Sequence, residues 1–243
     1  MVPSFLFNKN ELAVSYRYPK NELAFLSLDI VIDHTIFIDT MHIPHYYKNE
    51  NLREVKDFLR KNSFAILVNQ LNGRPWATHI PLELDVDKDG NEILVGHIAK
   101  ANPQWKSFNG TTEVLCIFNG PHAYVSSSWY QEEEVPTWNY IAVHIYGKLK
   151  VLTEEDTMAA LHKLVDKYEK GSKNPVSLHQ MSPKTLRQVK GVVGFHIEIS
   201  EIHAAYKLSQ TRPQDHPKII AELQERNDAG SKAIAQEMGG SKL

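Results

Sequence analysis

Apolar and polar positions follow two different periods along this chain of 243 residues. Leu52, Val55, Phe58 and Leu59 recur at helical spacing, which predicts one amphipathic helix. From Phe64 the pattern becomes short apolar runs bounded by turn signals: "FAILVNQ", an Asn-Gly pair, "PWATHIPLELDVD", "KDGN" and "EILVGHIA". This order predicts three antiparallel strands joined by tight turns.

The middle of the chain continues mainly as strands. Pro103 interrupts the strand pattern and begins about two helical turns, which Gly110 ends. The runs "TEVLCIFNGPHAYVSS" and "TWNYIAVHIYGKLKVL" each predict a strand, and an acidic loop separates them. About five strands with short connections are enough for a small closed barrel.

The last third mixes helices with one more strand. Thr153 is placed to cap a helix, and Ser182 followed by Pro183 is typical of a second helix start. The apolar residues that follow Thr153 at core spacing are Met158, Leu161, Leu164, Val165 and Tyr168. "GVVGFHIEISEI" predicts a strand, and a terminal helix is expected after Pro217. No internal repeat divides these elements, so the pattern predicts one α+β domain with helices packed on a barrel.

Residues 1–40 differ in pattern from the rest. They carry aromatic and β-branched residues without steady alternation and with little turn chemistry. The pattern of apolar and polar residues changes at Met41. We therefore predict that 1–40 form a non-native or disordered N-terminal extension and that 41–243 form the single domain.

Composition narrows the class of protein. A formal net charge of −2 and a pI of about 6.6 provide no whole-chain attraction for a phosphate backbone. The single cysteine, Cys116, excludes a disulfide framework and a Cys-rich zinc site, and its apolar neighbours predict a small buried side chain. The apolar runs are too short for a membrane span, and no signal-peptide pattern is present, so a cytoplasmic protein is expected. The terminal "SKL" is typical of a peroxisomal address, but three residues often match by chance.

Polar and aromatic residues cluster where strands end. The clusters are "THIP", "GHIAKANPQW", "GPHAYVSSSWY", "VPTWNY" and "KLSQTR". Each one alone has an ordinary structural interpretation, but together they predict a site. Twelve histidines offer no helical pair with a carboxylate at metal-ligand spacing, so no metal site is predicted. A serine-nucleophile elbow, a Walker loop and a dinucleotide fingerprint are also missing from the sequence.

At these clusters the sequence resembles the PaiB family of FMN-binding negative transcriptional regulators. Family members share "MYIP", "NHLP", "GHLARANPQW", "GPHAYISPSWY", "VPTWNY" and "KLSQNR". The corresponding text here is "MHIP", "THIP", "GHIAKANPQW", "GPHAYVSSSWY", "VPTWNY" and "KLSQTR", between Met41 and Arg212. The departures include Thr78 for Asn, Ser127 for Pro and Thr211 for Asn.

The resemblance implies a split β-barrel of the pyridoxamine-phosphate-oxidase type. It also implies a Greek-key antiparallel arrangement and a homodimer with FMN at the subunit interface. The implied phosphate and ribityl contacts are Lys100, Asn102 and Gln104, with Thr78, His79 and His97 close by. Trp138 and Asn139 would cover the flavin ring from the partner subunit, and Lys207 and Gln210 are placed near it by the family pattern alone.

The surface of "GPHAYVSSSWY" has two interpretations. Its candidate residues are His122, Tyr124, Ser126, Ser128 and Trp129, which either line the cleft beside the flavin or seal the subunit contact.

The function also has two interpretations. The family name implies a transcriptional repressor, with DNA as a partner on family grounds only, since no helix-turn-helix signature and no basic stripe is present. The alternative is an FMN-dependent oxidoreductase that acts on a small molecule.

Overall fold

The computed structural model describes residues 6–8, 11–13 and 41–240, and the chain divides into the units Met1–Asp39 and Thr40–Leu243. In the first unit β1 (Leu6–Asn8) and β2 (Glu11–Ala13) pair in antiparallel fashion. The rest of residues 1–40, which the sequence predicted to be an N-terminal extension, lies outside the described residues.

Within its described residues, the second unit contains seven strands and five α-helices, together with short 3₁₀ helices. A 3₁₀ helix (His45–Tyr47) and α1 (Leu52–Lys61) come first. The strands are β3 (Phe64–Leu71), β4 (Arg74–Pro81), β5 (Glu83–Val86), β6 (Glu92–Ala99), β7 (Glu113–Val125), β8 (Thr137–Val151) and β9 (Val192–Lys207). The later helices are α2 (Glu154–Glu169), α3 (Pro183–Leu186), α4 (His216–Glu225) and α5 (Ala229–Gly240).

All seven strands form one antiparallel sheet in the order β4-β3-β7-β8-β9-β6-β5. The two edge strands follow each other in the chain, with only Leu82 between them. Leu82 is fully buried, and its N–H donates to the carbonyl oxygen of Ser63 at 2.8 Å. A Cβ on Gly96 of β6 would lie 2.7 Å from Leu82 Cδ2, so β6 approaches this corner closely. The sheet therefore curls until its edges meet, which makes it a barrel.

The predicted three-strand meander is wrong in one respect. "PWATHIPLELDVD" is two strands that lie at opposite edges of the sheet, because β4 pairs with β3 while β5 pairs with β6. Pro81, which has no N–H to donate, ends β4 just before the corner. The Asn-Gly turn is confirmed, since Asn72 and Gly73 have φ values of 53° and 73° between β3 and β4.

The barrel interior is filled by the alternate side chains of the strands. Fully buried examples are Leu67, Cys116, Phe118, Ile145, Phe195 and Ile197. Cys116 is the buried apolar side chain that its sequence context predicted, and burial raises the pKa of its thiol. The core is thus built from every second residue of long strands.

Helices α2 and α3 begin after Thr153 and Ser182, the two capping residues that the sequence predicted, and α1 begins after Asn51, for which no cap was predicted. Asn51 caps α1, the Thr153 hydroxyl accepts from the N–H of Asp156 at 3.1 Å, and Ser182 caps α3. The predicted α1 face is confirmed except at Leu52, which is 54% exposed at the first turn.

Helix α2 is less buried than its apolar spacing predicted. Thr157 is its buried residue, and Tyr168 is 53% exposed. The helix packs on β6 and β9 from outside the barrel, so its apolar side chains cover the sheet rather than enter the core.

The part of the chain that the structure describes has two α-helices after β9. The predicted terminal helix is α4, and α5 was missed although Ile234 and Met238 stand four residues apart and are both buried. No helix within the described residues is long and apolar enough to span a membrane.

Candidate functional site

One group of predicted residues meets where a 3₁₀ helix, Pro103–Ser107, packs on β3 and β4. The Asn102 amide donates to Thr78 Oγ1 at 2.9 Å, and that hydroxyl donates to Gln104 Oε1 at 2.5 Å. The Asn102 side chain also caps the 3₁₀ helix through the N–H of Gln104. Three predicted residues from separate motifs therefore form one hydrogen-bonded network.

Gln104 is the buried centre of this network. Its exposed fraction is 0%, and its Nε2 donates to the carbonyl oxygen of Leu67 at 3.2 Å and to Asn69 Oδ1 at 3.1 Å. The Asn69 amide in turn donates to Ser107 Oγ at 2.7 Å. The amide of Gln104 thus fixes the 3₁₀ helix to the barrel, and its donor hydrogens are used inside the protein.

Lys100 stands at the surface just before this network. Its backbone N–H donates to the carbonyl oxygen of Gly191 at 2.8 Å, and its carbonyl accepts from Trp105 Nε1 at 2.9 Å. The backbone is thus held on both sides. Within the described residues the exposed ammonium has no ion-pair partner, so it is available to an anion such as a phosphate.

The two predicted histidines point away from the network. His79 is exposed on the outer face of β4, with its ring 6.3 Å from that of Phe64. His97 lies opposite Gly194 on the outer face of β6, beneath α2. Burial lowers the pKa of His97, which keeps its imidazole neutral near pH 7. The structure brings neither side chain to Thr78 and Gln104.

A second group lies at the other end of the long β7–β8 pair. Trp138 is 54% exposed, with its ring 5.9 Å from Tyr124 and 6.0 Å from His122. Asn139, the next residue, is fully buried and exchanges hydrogen bonds with the Ser209 hydroxyl at 2.9 and 3.1 Å. Neighbouring residues of a strand face opposite sides, so Asn139 does not share the surface of Trp138.

Lys207 belongs to this second group. Its ammonium donates to the Thr137 hydroxyl and lies 5.6 Å from the centre of the Tyr47 ring. Burial lowers the pKa of Lys207. The sequence analysis did not single out Thr137 or Tyr47, although Thr137 lies in "VPTWNY" and Tyr47 lies three residues after "MHIP". The Gln210 side chain stabilises the turn after β9. Its Nε2 donates to the carbonyl oxygen of Tyr206, and its Oε1 accepts from the N–H of Leu208.

The "SSSWY" end of the serine motif is mainly structural. The Ser126 hydroxyl caps a 3₁₀ turn through the N–H of Ser128 at 3.3 Å. Trp129 is buried, and the Arg226 guanidinium lies 4.7 Å from its ring. His122 and Tyr124 are the members that face the surface beside Trp138.

The two groups are far apart within one chain. Thr78 of β4 pairs with Leu67 of β3, and Leu67 pairs with Cys116 of β7. Trp138 of β8 pairs with Tyr124, which lies further along β7. The two paired positions are eight residues apart on β7 and seven apart on β8, because β7 has a bulge between them. At about 3.3 Å per residue, the separation along the strands is about 25 Å. A single chain therefore does not bring both groups to one small ligand.

Comparison with known proteins identifies the family. A family model described as "Putative FMN-binding domain" matches residues 41–201. Protease synthase and sporulation protein PAI 2 of Bacillus subtilis (strain 168) is 45% identical over 200 residues, which span 82% of this chain and 96% of that protein. The chain belongs to the PaiB family of FMN-binding proteins.

Solved structures share the fold of this PaiB-family chain. The flavocytochrome Anf3 of Azotobacter vinelandii superposes with a TM-score of 0.55 at 16% identity, covering 69% of this chain and 73% of the other. An FAD and heme binding protein of Mycobacterium smegmatis gives 0.52 at 14% identity, covering 66% and 73%. The predicted α+β split barrel is confirmed.

The described residues fit FMN, the cofactor of the family. Lys100 offers an unpaired cation for the phosphate, Thr137 and Lys207 offer donors, and Trp138 offers an exposed aromatic face. Bound FMN supplies a redox-active ring that the protein side chains lack. No group of three potential metal ligands is present among the described residues.

Proposed function

We propose that this chain is a homodimeric, FMN-binding regulator of the PaiB type, with each flavin held between two subunits. Lys100 and Asn102 of one subunit contact the phosphate side. The partner subunit's Trp138 and the partner subunit's Lys207 contact the ring side. The separation of these groups by about 25 Å of strand in one chain supports this assignment, because only a second copy can bring them together.

The outer face of the barrel supports a dimer. Ile66 pairs with Ile117, and Val68 pairs with Leu115, so four apolar side chains form one contiguous patch on the outside of β3 and β7. All four are half-buried in the single chain. A second copy related by a two-fold axis would cover this patch with the same patch of its own.

The dimer is tested by light scattering after gel filtration. Ile117→Glu should give a monomer that loses FMN, since a charge would be buried in the contact. Val176→Glu places the same charge at an exposed loop position and should leave a flavin-bound dimer. A stable wild-type monomer with bound FMN would contradict the proposal.

The shared site is tested by mixing two defective variants. Lys100→Ala and Trp138→Ala should each bind FMN weakly as homodimers. In the mixed dimer one site carries both changes and the other carries none. FMN titration of the purified mixed dimer should therefore show wild-type affinity at half of the sites. If no site recovers, both residues act within one subunit.

The regulatory role rests on the related protein, whose name refers to protease synthesis and sporulation. We propose control of gene expression from the cytoplasm, by direct or indirect contact with DNA. Promoter-fragment binding with a steep salt dependence would support direct contact. Steady oxidation of NAD(P)H through bound FMN would instead support an oxidoreductase.

A further inference from the structure

A cavity of about 190 Å³ lies between α2 and the β5–β6 edge of the barrel. Most of its wall is apolar and comes from Leu84, Val95, Ala160, Leu161 and Leu164. The close approach of Thr157 to Gly194 holds α2 against the sheet at the side of this space. The described residues that line the cavity belong to neither site group, but they include His97, which the sequence predicted for the flavin site.

His97 is a polar residue of the cavity wall without a hydrogen-bond partner in the described part of the chain. Its side chain is half-buried. Burial lowers its pKa, so the imidazole is neutral near pH 7. A neutral imidazole carries one donor and one acceptor nitrogen, which suits a hydroxyl group better than an anion.

The charges at the rim of the cavity are already paired. Lys163 Nζ lies 2.6 Å from Asp85 Oδ2, and Lys167 forms an ion pair with Glu83. Two cations and two anions give the rim no net charge, so an ionic ligand gains no overall attraction there. The rim therefore favours a neutral ligand.

The size of the cavity limits the ligand further. An apolar cavity of about 150 Å³ in another protein binds benzene, so about 190 Å³ holds one ring with a small substituent. We propose that this cavity binds a small neutral phenol-class molecule, with its ring among the leucines and its hydroxyl bonded to His97. This assigns His97 to a second ligand instead of FMN.

The polar contact is tested by measuring phenol and toluene binding to the purified protein by ligand-observed NMR. Wild type should bind both molecules. His97→Leu should weaken phenol roughly three- to tenfold, the size of one lost hydrogen bond, and leave toluene within about twofold. No phenol binding at millimolar concentration, or equal losses for both ligands, would overturn the proposal.

The location is tested with two alanines of α2. Ala160 lines the cavity, whereas Ala159 is exposed. Ala160→Leu fills the space and should weaken both ligands by about tenfold or more, while Ala159→Leu should leave both affinities unchanged. Equal effects of the two substitutions would place the ligand elsewhere and overturn the assignment.

Flavin absorbance and melting temperature, recorded for every variant, separate this inference from the proposed function. Loss of phenol with FMN retained in Ala160→Leu supports a distinct site. Phenol binding by a wild-type protein that holds no FMN would leave the cavity assignment standing and remove the flavin proposal.

Discussion

At the scale of single residues, some predicted site residues form hydrogen bonds inside the protein, whereas others expose their functional groups to solvent. Gln104, Asn139 and Gln210 use their amides for internal hydrogen bonds. Lys100 and Trp138 present their functional groups at the surface. Buried amides of this kind position a site, whereas the exposed groups are free to contact a ligand.

Lys100→Ala should weaken FMN binding by about tenfold or more. A charged hydrogen bond to phosphate contributes about 1.5 to 3 kcal/mol, and about 1.4 kcal/mol corresponds to one decade in affinity. Flavin titration measures the change. Lys170→Ala, at an exposed position just after α2, is the matched control and should have no effect. Unchanged affinity in Lys100→Ala and Asn102→Ala would remove this segment from the site.

Gln104→Ala should lower the free energy of unfolding by about 2 to 4 kcal/mol. The substitution leaves a cavity and removes hydrogen-bond partners from Thr78, Asn69 and the Leu67 carbonyl, all of which lie in or near the core. Urea unfolding measures the loss, and Gln70→Ala on the exposed side of β3 should change it by less than about 0.5 kcal/mol. Weakened FMN binding without lost stability would mean that Gln104 contacts the cofactor directly.

At the scale of elements, α2 lies especially close to the barrel where Thr157 meets Gly194 of β9. A Cβ added to Gly194 of β9 would overlap Thr157 Oγ1 and lie 2.8 Å from Thr157 Cγ2. Backbone and helix meet there without room for a side chain. The glycine thus determines how closely α2 lies on β9, and with it the width of the cavity beside His97.

Gly194→Ala should therefore destabilise the protein by about 1 to 3 kcal/mol, since α2 must shift to admit the methyl group. Differential scanning calorimetry or urea unfolding measures the cost. Gly171→Ala provides a matched control just beyond α2, where an added Cβ would meet nothing within 4 Å. Similar stability in the two variants would show that α2 adjusts freely.

At the scale of the whole molecule, residues 1–40 provide the remaining prediction. The family match begins at residue 41, and we expect deletion of 1–40 to leave the melting temperature nearly unchanged. Thermal unfolding of the full chain and of 41–243 measures the difference. A loss of several degrees, or protease protection of 1–40, would show that this segment supports the domain.

Features that depend on neighbours in sequence were predicted well. The Asn-Gly hairpin, the helix caps at Thr153 and Ser182, and the burial of Cys116 follow from local geometry and side-chain chemistry. Strand alternation alone could also have separated Asn139 from Trp138, since adjacent strand residues face opposite sides. The motifs that identify the PaiB family are likewise readable without coordinates.

Features that depend on strand pairing required the tertiary structure. Nothing local places β4 and β5 at opposite edges of the sheet. The hairpins β3–β4 and β5–β6 are local, but they join the rest of the sheet only through the distant strands β7 and β9. The same pairing carries Trp138 about 25 Å along the strands from the level of Thr78. The local sequence determined which helices and strands form and which side chains are available to bind a ligand. The long-range pairing of strands determined which of those side chains can contact the same ligand.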